Sequence, residues 1–192
     1  MASTRGPAGK RISHRVGVQD WIQAGYAILA EEGIKALKID RLCERLGVTK
    51  GSFYWHFDGM PTYRAALTAA WADLRDETRL GFDDMGQLPP RERLAAMMSS
   101  LVSPRHWTLE RAMREWARSD PAAEESVRES DRRVVAAVRR ALVDYGFDAE
   151  EADMRANAMF AAGIGFLHLS GPAPGAREAA RGERFLDLML AR

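Results

Sequence analysis

Residues 39–57 read IDRLCERLGVTKGSFYWHF. Residues 39–46 have helical spacing, with Leu42, Cys43 and Leu46 on the inward side. Gly47 follows, suited to the positive φ of a tight turn. Thr49 then stands where its hydroxyl can cap a second short helix by accepting backbone N–H bonds, and that helix carries Phe53, Tyr54 and Phe57. Cys43 is a small residue four positions before Gly47, where the two helices must approach closely. Leu42, Leu46, Val48 and Phe53 supply the contacts that fix their angle. Two short helices about a glycine turn form the helix-turn-helix pattern, whose second helix enters the major groove of DNA. Its exposed residues are expected to be Lys50, Gly51, Ser52, Trp55 and His56. They combine a cation, a backbone-exposing glycine, a hydroxyl and ring groups suited to phosphates and base edges. An ordinary helical hairpin shares the glycine turn, so the pattern alone leaves both readings open.

Working outward, helical spacing continues in both directions, and neither sustained alternation nor a hairpin turn signals a strand. Residues 20–32 place Ile22, Tyr26, Leu29 and Ala30 on one face, and Gly33 stops that helix. A fourth helix opens near Gly59-Met60-Pro61, since proline is tolerated in a first turn, and runs to about residue 79. The segment GFDDMGQLPP (81–90) reads as a loop. Further helices are expected from Pro89-Pro90 to residue 101, from 107 to 119, from 121 to 145, and from Asp148 to 169. Asp148 with Glu151 three later resembles a capping box. GPAPGAR (171–177) reads as a second loop before a last helix. The predicted class is all-α, with about nine helices.

The 192 residues are 46% hydrophobic and 29% charged, an ordinary globular composition. No apolar run approaches the ~20 residues of a membrane helix. The N-terminal MASTRGPAGKR has charge but no apolar core behind it, unlike a secretory signal. The single cysteine cannot form an internal disulfide and disfavours a closed metal cage. A cytoplasmic setting is therefore expected. The net charge of +1 hides a segregation. Residues 1–56 carry nine Lys and Arg against five Asp and Glu, and the remainder nineteen against twenty-two. A basic end on a mildly acidic body suits contact with a polyanion, although an imbalance this small also arises by chance. Catalysis is not expected. His14, His56, His106 and His168 show no paired ligand spacing, and neither a phosphate loop nor a nucleophile elbow is present. Cys43 falls where a buried packing residue belongs. No metal and no cofactor are expected.

LKIDRLCERLGVTKGSFYWHF (37–57) resembles the DNA-binding signature of the tetracycline-repressor (TetR) family of bacterial regulators. GVTKGSFYWHF is the most telling part, and the preceding helix, with Ala24, Ala27, Leu29 and Gly33, is also similar. The likeness covers about residues 16–75. It implies a basic arm at 1–15, a DNA-binding domain at 16–60 with its helix-turn-helix at about 38–57, and a ligand-binding and dimerisation body at 61–192. It places Thr49, Lys50, Gly51 and Ser52 at the start of the recognition helix, against bases and phosphates. Tyr54 and His56 match positions that reach the DNA backbone, while Phe53 and Phe57 match core positions. Trp55 falls at a variable position. On the preceding helix Arg41 is the expected phosphate contact. Lys38 replaces the usual Ser or Thr cap there and is itself a candidate for phosphate. A second departure is FDGMPTY (57–63), which puts Met60 where the family often has a phosphate-binding lysine, with Asp58 beside it.

Beyond residue 83 no motif is specific. The resemblance implies a small-molecule effector bound in the body, double-stranded DNA with a roughly palindromic operator, and a homodimer made through the last two helices. Met159, Ile164, Leu167, Phe185, Leu186 and Met189 are the candidate dimer residues, helped by Gly163 and Gly165; the alternative is that they complete the core of one subunit. Met97, Met98, Leu101, Trp107, Met113, Trp116 and Phe160 are candidates to line the effector pocket, methionine and tryptophan making adaptable walls. His106, His168, Arg111 and Arg114 are its candidate polar groups. The resulting expectation is a transcriptional regulator, a repressor released by its ligand. The alternatives are an activator, a regulator that needs its ligand, or a small-molecule-binding helical protein with weakened DNA contacts.

Overall fold

A computed structural model describes residues 16–101, 104–169 and 176–191, apart from the side chains of 76–80, 82–84, 100–101, 104–106 and 176–179. The arm at 1–15 lies outside the described residues. Among those described, every regular element is helical: α1 Val18–Glu32, α2 Ile39–Leu46, α3 Lys50–His56, α4 Met60–Asp84, α5 Pro90–Leu101, α6 Pro104–Ala117, α7 Pro121–Tyr145, α8 Ala149–Leu169 and α9 Ala176–Leu190, with 3₁₀ turns at Ile34–Ala36 and Met85–Gln87. The all-α class read from the sequence is the observed one.

The boundaries follow local chemistry. Gly33 ends α1 at φ 79°, and Gly47 ends α2 in the left-handed conformation at φ 66° and ψ 34°, as the tight turn requires. Asp148 caps α8 by accepting N–H bonds from Glu150 and Glu151 at 3.0 and 2.8 Å. Asp120 caps α7 in the same way, ahead of Pro121 at N1. Two expected boundaries move. The loop expected at 81–90 begins late, because α4 absorbs GFDD through Asp84. A mid-helix glycine costs only about 1 kcal/mol, which packing along a long helix offsets. Helix α6 starts at Pro104, three residues before its expected start, because proline suits a first helical turn.

Two apolar clusters organise the chain. The first joins α1, α2, α3 and α4 to one face of α6 and the start of α7, around Trp21, Phe53, Tyr63, Trp71, Met113 and Trp116. The second joins α5, α7, α8 and α9 around Leu94, Leu142, Ala156 and Leu186. Helix α7 packs on α4, α5, α6 and α8 and so threads both. Helix α4 has 25 residues, about 37 Å of helix at 1.5 Å per residue. It carries Tyr63, Leu67 and Trp71 in the first cluster and Arg75 beyond them. The first cluster thus crosses the 60/61 division drawn from the sequence.

Candidate nucleic-acid interface and effector cavity

Phe53 is the buried anchor of helix α3. Phe53 is fully buried, and its ring meets Trp21 at 5.4 Å, Phe57 at 5.4 Å and Tyr63 at 5.6 Å between centroids. Phe57 and Tyr63 meet edge-on at 5.0 Å. Each such pair contributes about 0.5–1.5 kcal/mol beyond the area it buries. The Tyr63 hydroxyl donates to the Trp21 carbonyl at 2.7 Å, and the Tyr26 hydroxyl donates to the Leu67 carbonyl at 3.0 Å. Burial pushes both phenols well above their ordinary pKa. Gly25 makes this closeness of α1 and α4 possible: a Cβ there would stand 2.1 Å from Tyr63 Oη and 2.9 Å from Leu67 Cδ1. The sequence reading did not single out Gly25. Its signal was a glycine in the middle of a strongly helical pattern, which asks for a packing reason.

With Phe53 inward, the opposite face of α3 is open. Tyr54 is 56% and Trp55 75% exposed, and Thr49, Lys50 and Gly51 are exposed beside them. Ser52 is half-buried. Thr49 occupies the cap position, but its side chain makes no cap hydrogen bond, contrary to expectation, which leaves the hydroxyl uncommitted to the helix end. Gly51 has no positive φ, and a Cβ added to it would meet only Thr49 Oγ1 at an ordinary 3.6 Å. Nothing among the described residues therefore demands glycine at this position.

The candidate cations are mostly held by carboxylates. Lys50 Nζ lies 2.6 Å from Asp40, which raises its pKa through hydrogen bonding and charge. Arg41 pairs with Glu32 at 2.8 Å and Glu44 at 2.9 Å, and its pKa rises through hydrogen bonds to both. Arg45 pairs with Glu31 at 2.6 Å, and that hydrogen bond holds the Glu31 carboxyl below its usual range. Lys38 is exposed at the start of α2, makes no cap bond and has no ion-pair partner among the described residues. His56 is half-buried, with Nε2 at 3.1 Å from the Val16 carbonyl, so its ring ties α3 to the chain entering α1. Met60 packs against the first cluster and Asp58 is exposed, which explains why position 60 is apolar. Cys43 is buried, and burial followed by the charge of Asp40 pushes its thiol up, as befits a packing residue.

In the second half, a cavity of about 110 Å³ lies between α5, α6, α7, α8 and α9. Of the pocket candidates, Met97, Met98, Trp107 and Phe160 line it. Met113 and Trp116 do not. Spaced at i, i+3 and i+7, Trp107, Glu110 and Arg114 form the cavity face of α6, while Met113 and Trp116 turn into the first cluster. The side chains of Leu101 and His106 lie outside the described ones. His168 and Arg111 are exposed and away from the cavity.

Of the dimer candidates, three are buried in the single chain and three are half-buried. Met159, Leu167 and Leu186 are buried within the single chain, and Met159, Ile164, Leu167 and Phe185 line the cavity. Met189 packs on the second cluster. Helical periodicity marks an apolar face without saying whether a core or a partner covers it. The exposed apolar residues lie elsewhere on α8 and α9: Met154 at 65%, Leu169 at 86% and Leu188 at 65%, with Ala158 and Ala161 on the same exposed side of α8.

One buried charge network borders the cavity. Arg114 donates to Asp131 at 3.0 Å from Nη1 and 2.6 Å from Nη2, and Nη2 lies 2.7 Å from Glu110. Burial opposes the Arg114 charge, but the hydrogen bonds it donates to Asp131 and the charge of Glu110 outweigh it and raise its pKa. Arg75 of α4 reaches Glu110 at 3.8 Å and donates to Ser130 Oγ at 3.2 Å. Among the described residues no group of His, Cys, Asp or Glu is placed to hold a metal ion, and no helix is long and apolar enough to cross a membrane.

Residues 22–60 match the family model of bacterial regulatory proteins, tetR family. Solved structures share the fold over nearly the whole chain. A TetR transcriptional regulator from Legionella pneumophila superposes with TM-score 0.76 at 12% identity, covering 95% of this chain and 100% of its own. A transcriptional regulator from Rhodococcus sp. Rha1 gives 0.74 at 20% identity, covering 91% and 94%. GusR of Salmonella enterica gives 0.69 at 16% identity, covering 95% and 98%. At such identities the likeness is one of fold. No curated protein matches the chain.

Proposed function

We propose that this chain, whose residues 22–60 match the model of the tetR family of bacterial regulatory proteins, is a homodimeric transcriptional repressor whose hold on DNA is released by a small molecule bound in its C-terminal half. The observation that carries the DNA-binding part is the split character of α3. Phe53 locks one face into an aromatic cluster, while Thr49, Lys50, Gly51, Tyr54 and Trp55 stand exposed on the other. In the complex Lys50 exchanges Asp40 for phosphate or a base edge, and Lys38 adds phosphate contact from α2. Arg41 must leave Glu32 and Glu44 to contribute. Such exchanges keep the favourable counterion release but cost the internal pairs, so weak binding to arbitrary DNA is expected.

A second copy of the chain covers the exposed apolar stripe of Met154, Ala158, Ala161 and Leu169 on α8, with Leu188 on α9. Two-fold symmetry then places two copies of α3 about 34 Å apart, one turn of DNA, which calls for a roughly palindromic operator. Helix α4 links the two functions, because it holds Tyr63 against α3 and carries Arg75 to the cavity wall. A ligand that shifts Arg75 and its partners changes the tilt of α4 and the spacing of the recognition helices.

The reading is tested by selecting ligands for the protein from a random duplex pool and titrating the winner at two salt concentrations. A palindromic winner whose affinity falls steeply with salt is expected. Lys50→Ala should lower that affinity by roughly 10- to 150-fold, the range of a lost charged contact, and Tyr54→Phe should weaken it less, with both variants folded. A pool that yields no winner would favour the small-molecule-binding protein with weakened DNA contacts.

A further inference from the structure

The chemistry of the cavity wall narrows the class of molecule that fits it. Most of the wall is apolar and polarizable, with Met97, Met98 and Met159 interleaved with Trp107, Phe160 and Phe166. Sulfur and ring edges of this kind favour a flat, polarizable body. An apolar cavity of roughly 150 Å³ holds a benzene ring, so about 110 Å³ limits the ligand to a single ring, admitted as the methionines re-pack around it.

Polar character enters from α6 and α4, and there the charges already balance. Two guanidiniums, Arg75 and Arg114, face two carboxylates, Glu110 and Asp131. A carboxylate ligand would set a third negative charge beside a matched set, and an ammonium ligand would face the two guanidiniums. Either leaves a charge buried without its partner, which is strongly unfavourable. What the balanced set leaves over is donors. Arg114 spends Nη1 and Nη2 on Asp131 and Glu110, while its Nε–H is buried with no hydrogen-bond partner among the described residues. The same holds for the indole Nε1–H of Trp107, two turns earlier on the same face of α6. A buried donor without an acceptor is costly, and an incoming oxygen relieves that cost.

We propose that the cavity binds a neutral, single-ring apolar molecule bearing one carbonyl-type oxygen, received by the N–H donors of Trp107 and Arg114. This rests on the effector reading above and gives it a ligand class. Charge neutrality sets the class, and the donor pair sets the orientation: oxygen toward α6, ring among the methionines.

Titration calorimetry on the full chain without DNA, using acetophenone, benzoate, benzylamine in its protonated form and ethylbenzene, tests the proposal. Acetophenone should bind tightest, by about tenfold over ethylbenzene, the worth of satisfying a buried donor, and both ions should bind more weakly than acetophenone. Trp107→Phe, which keeps a ring and removes the N–H, should lower the acetophenone preference, while Trp116→Phe in the other cluster should leave it unchanged. Without any variant preference to read, the indole ¹⁵N–H resonance of Trp107 should move downfield with acetophenone and not with ethylbenzene. Benzoate or benzylammonium binding as tightly as acetophenone, ethylbenzene matching it, an unmoved Trp107 resonance, or no saturable binding by any probe would each overturn it. Because DNA is absent from this experiment, its failure leaves the DNA-binding reading intact. Conversely, a failed DNA selection leaves the ligand preference standing.

Discussion

Around Phe53 the rings of Trp21, Phe57 and Tyr63 stand 5.4–5.6 Å away, and the Tyr63 hydroxyl is tied to a backbone carbonyl across a glycine notch. Around Met97, by contrast, methionines and branched aliphatic side chains stand between the rings of Trp107, Phe160, Phe166 and Phe185 and leave about 110 Å³ unfilled. Aromatic rings have few rotatable bonds and preferred pair geometries, so they hold a short helix at one angle. Methionine has three rotatable bonds and re-packs around whatever enters. One half of the molecule is built to present a surface without moving, the other to accommodate. Helix α4 joins the rigid half to the adaptable one.

Substitutions break this contrast at different strengths. Phe53→Ala should have the largest effect, about 3–5 kcal/mol of stability for a fully buried ring, read as a drop in the urea midpoint with loss of DNA binding. Gly25→Ala comes next. The added methyl displaces Tyr63 from Trp21, and overpacking of this kind costs about 1–3 kcal/mol despite alanine's better helix propensity. Adding Tyr63→Phe to it should recover part of the loss, because the atom that clashes is the hydroxyl; no recovery would mean that Leu67 is the obstacle. Met97→Leu in the cavity wall should cost less than about 1.5 kcal/mol, as volume-conserving swaps do. A loss as large as that of Phe53→Ala would erase the proposed difference between the two halves.

The same contrast explains what could be read in the sequence. The turn at Gly47, the burial of Leu42, Cys43, Phe53 and Phe57, and the exposure of Lys50, Gly51 and Trp55 were legible from a short helix-turn-helix, whereas Ser52 and His56, expected to be exposed, are half-buried. The notch at Gly25 was not, since it depends on Tyr63, 38 residues away in sequence. Nor could sequence show that Thr49 makes no cap bond, that His56 reaches back to Val16, or that Asp40 and Glu32 hold the expected DNA-binding cations. In the body, helices α6 and α8 have apolar residues on more than one face. Periodicity could not decide that Trp107 faces the cavity while Met113 and Trp116 face the first cluster. For the same reason Met159, Leu167 and Leu186 were expected at a dimer surface, although they pack inside one chain.

If the open face of α3 is kept for a partner outside the chain, Gly51→Ala separates binding from folding. The fold has room for that methyl, and alanine favours helix over glycine by about 1 kcal/mol, so the variant should unfold at an equal or higher urea concentration. Its affinity for the selected DNA should nevertheless fall, because the methyl intrudes where backbone and DNA come together. A variant that keeps full DNA affinity, or one that loses its fold along with its binding, would contradict the account.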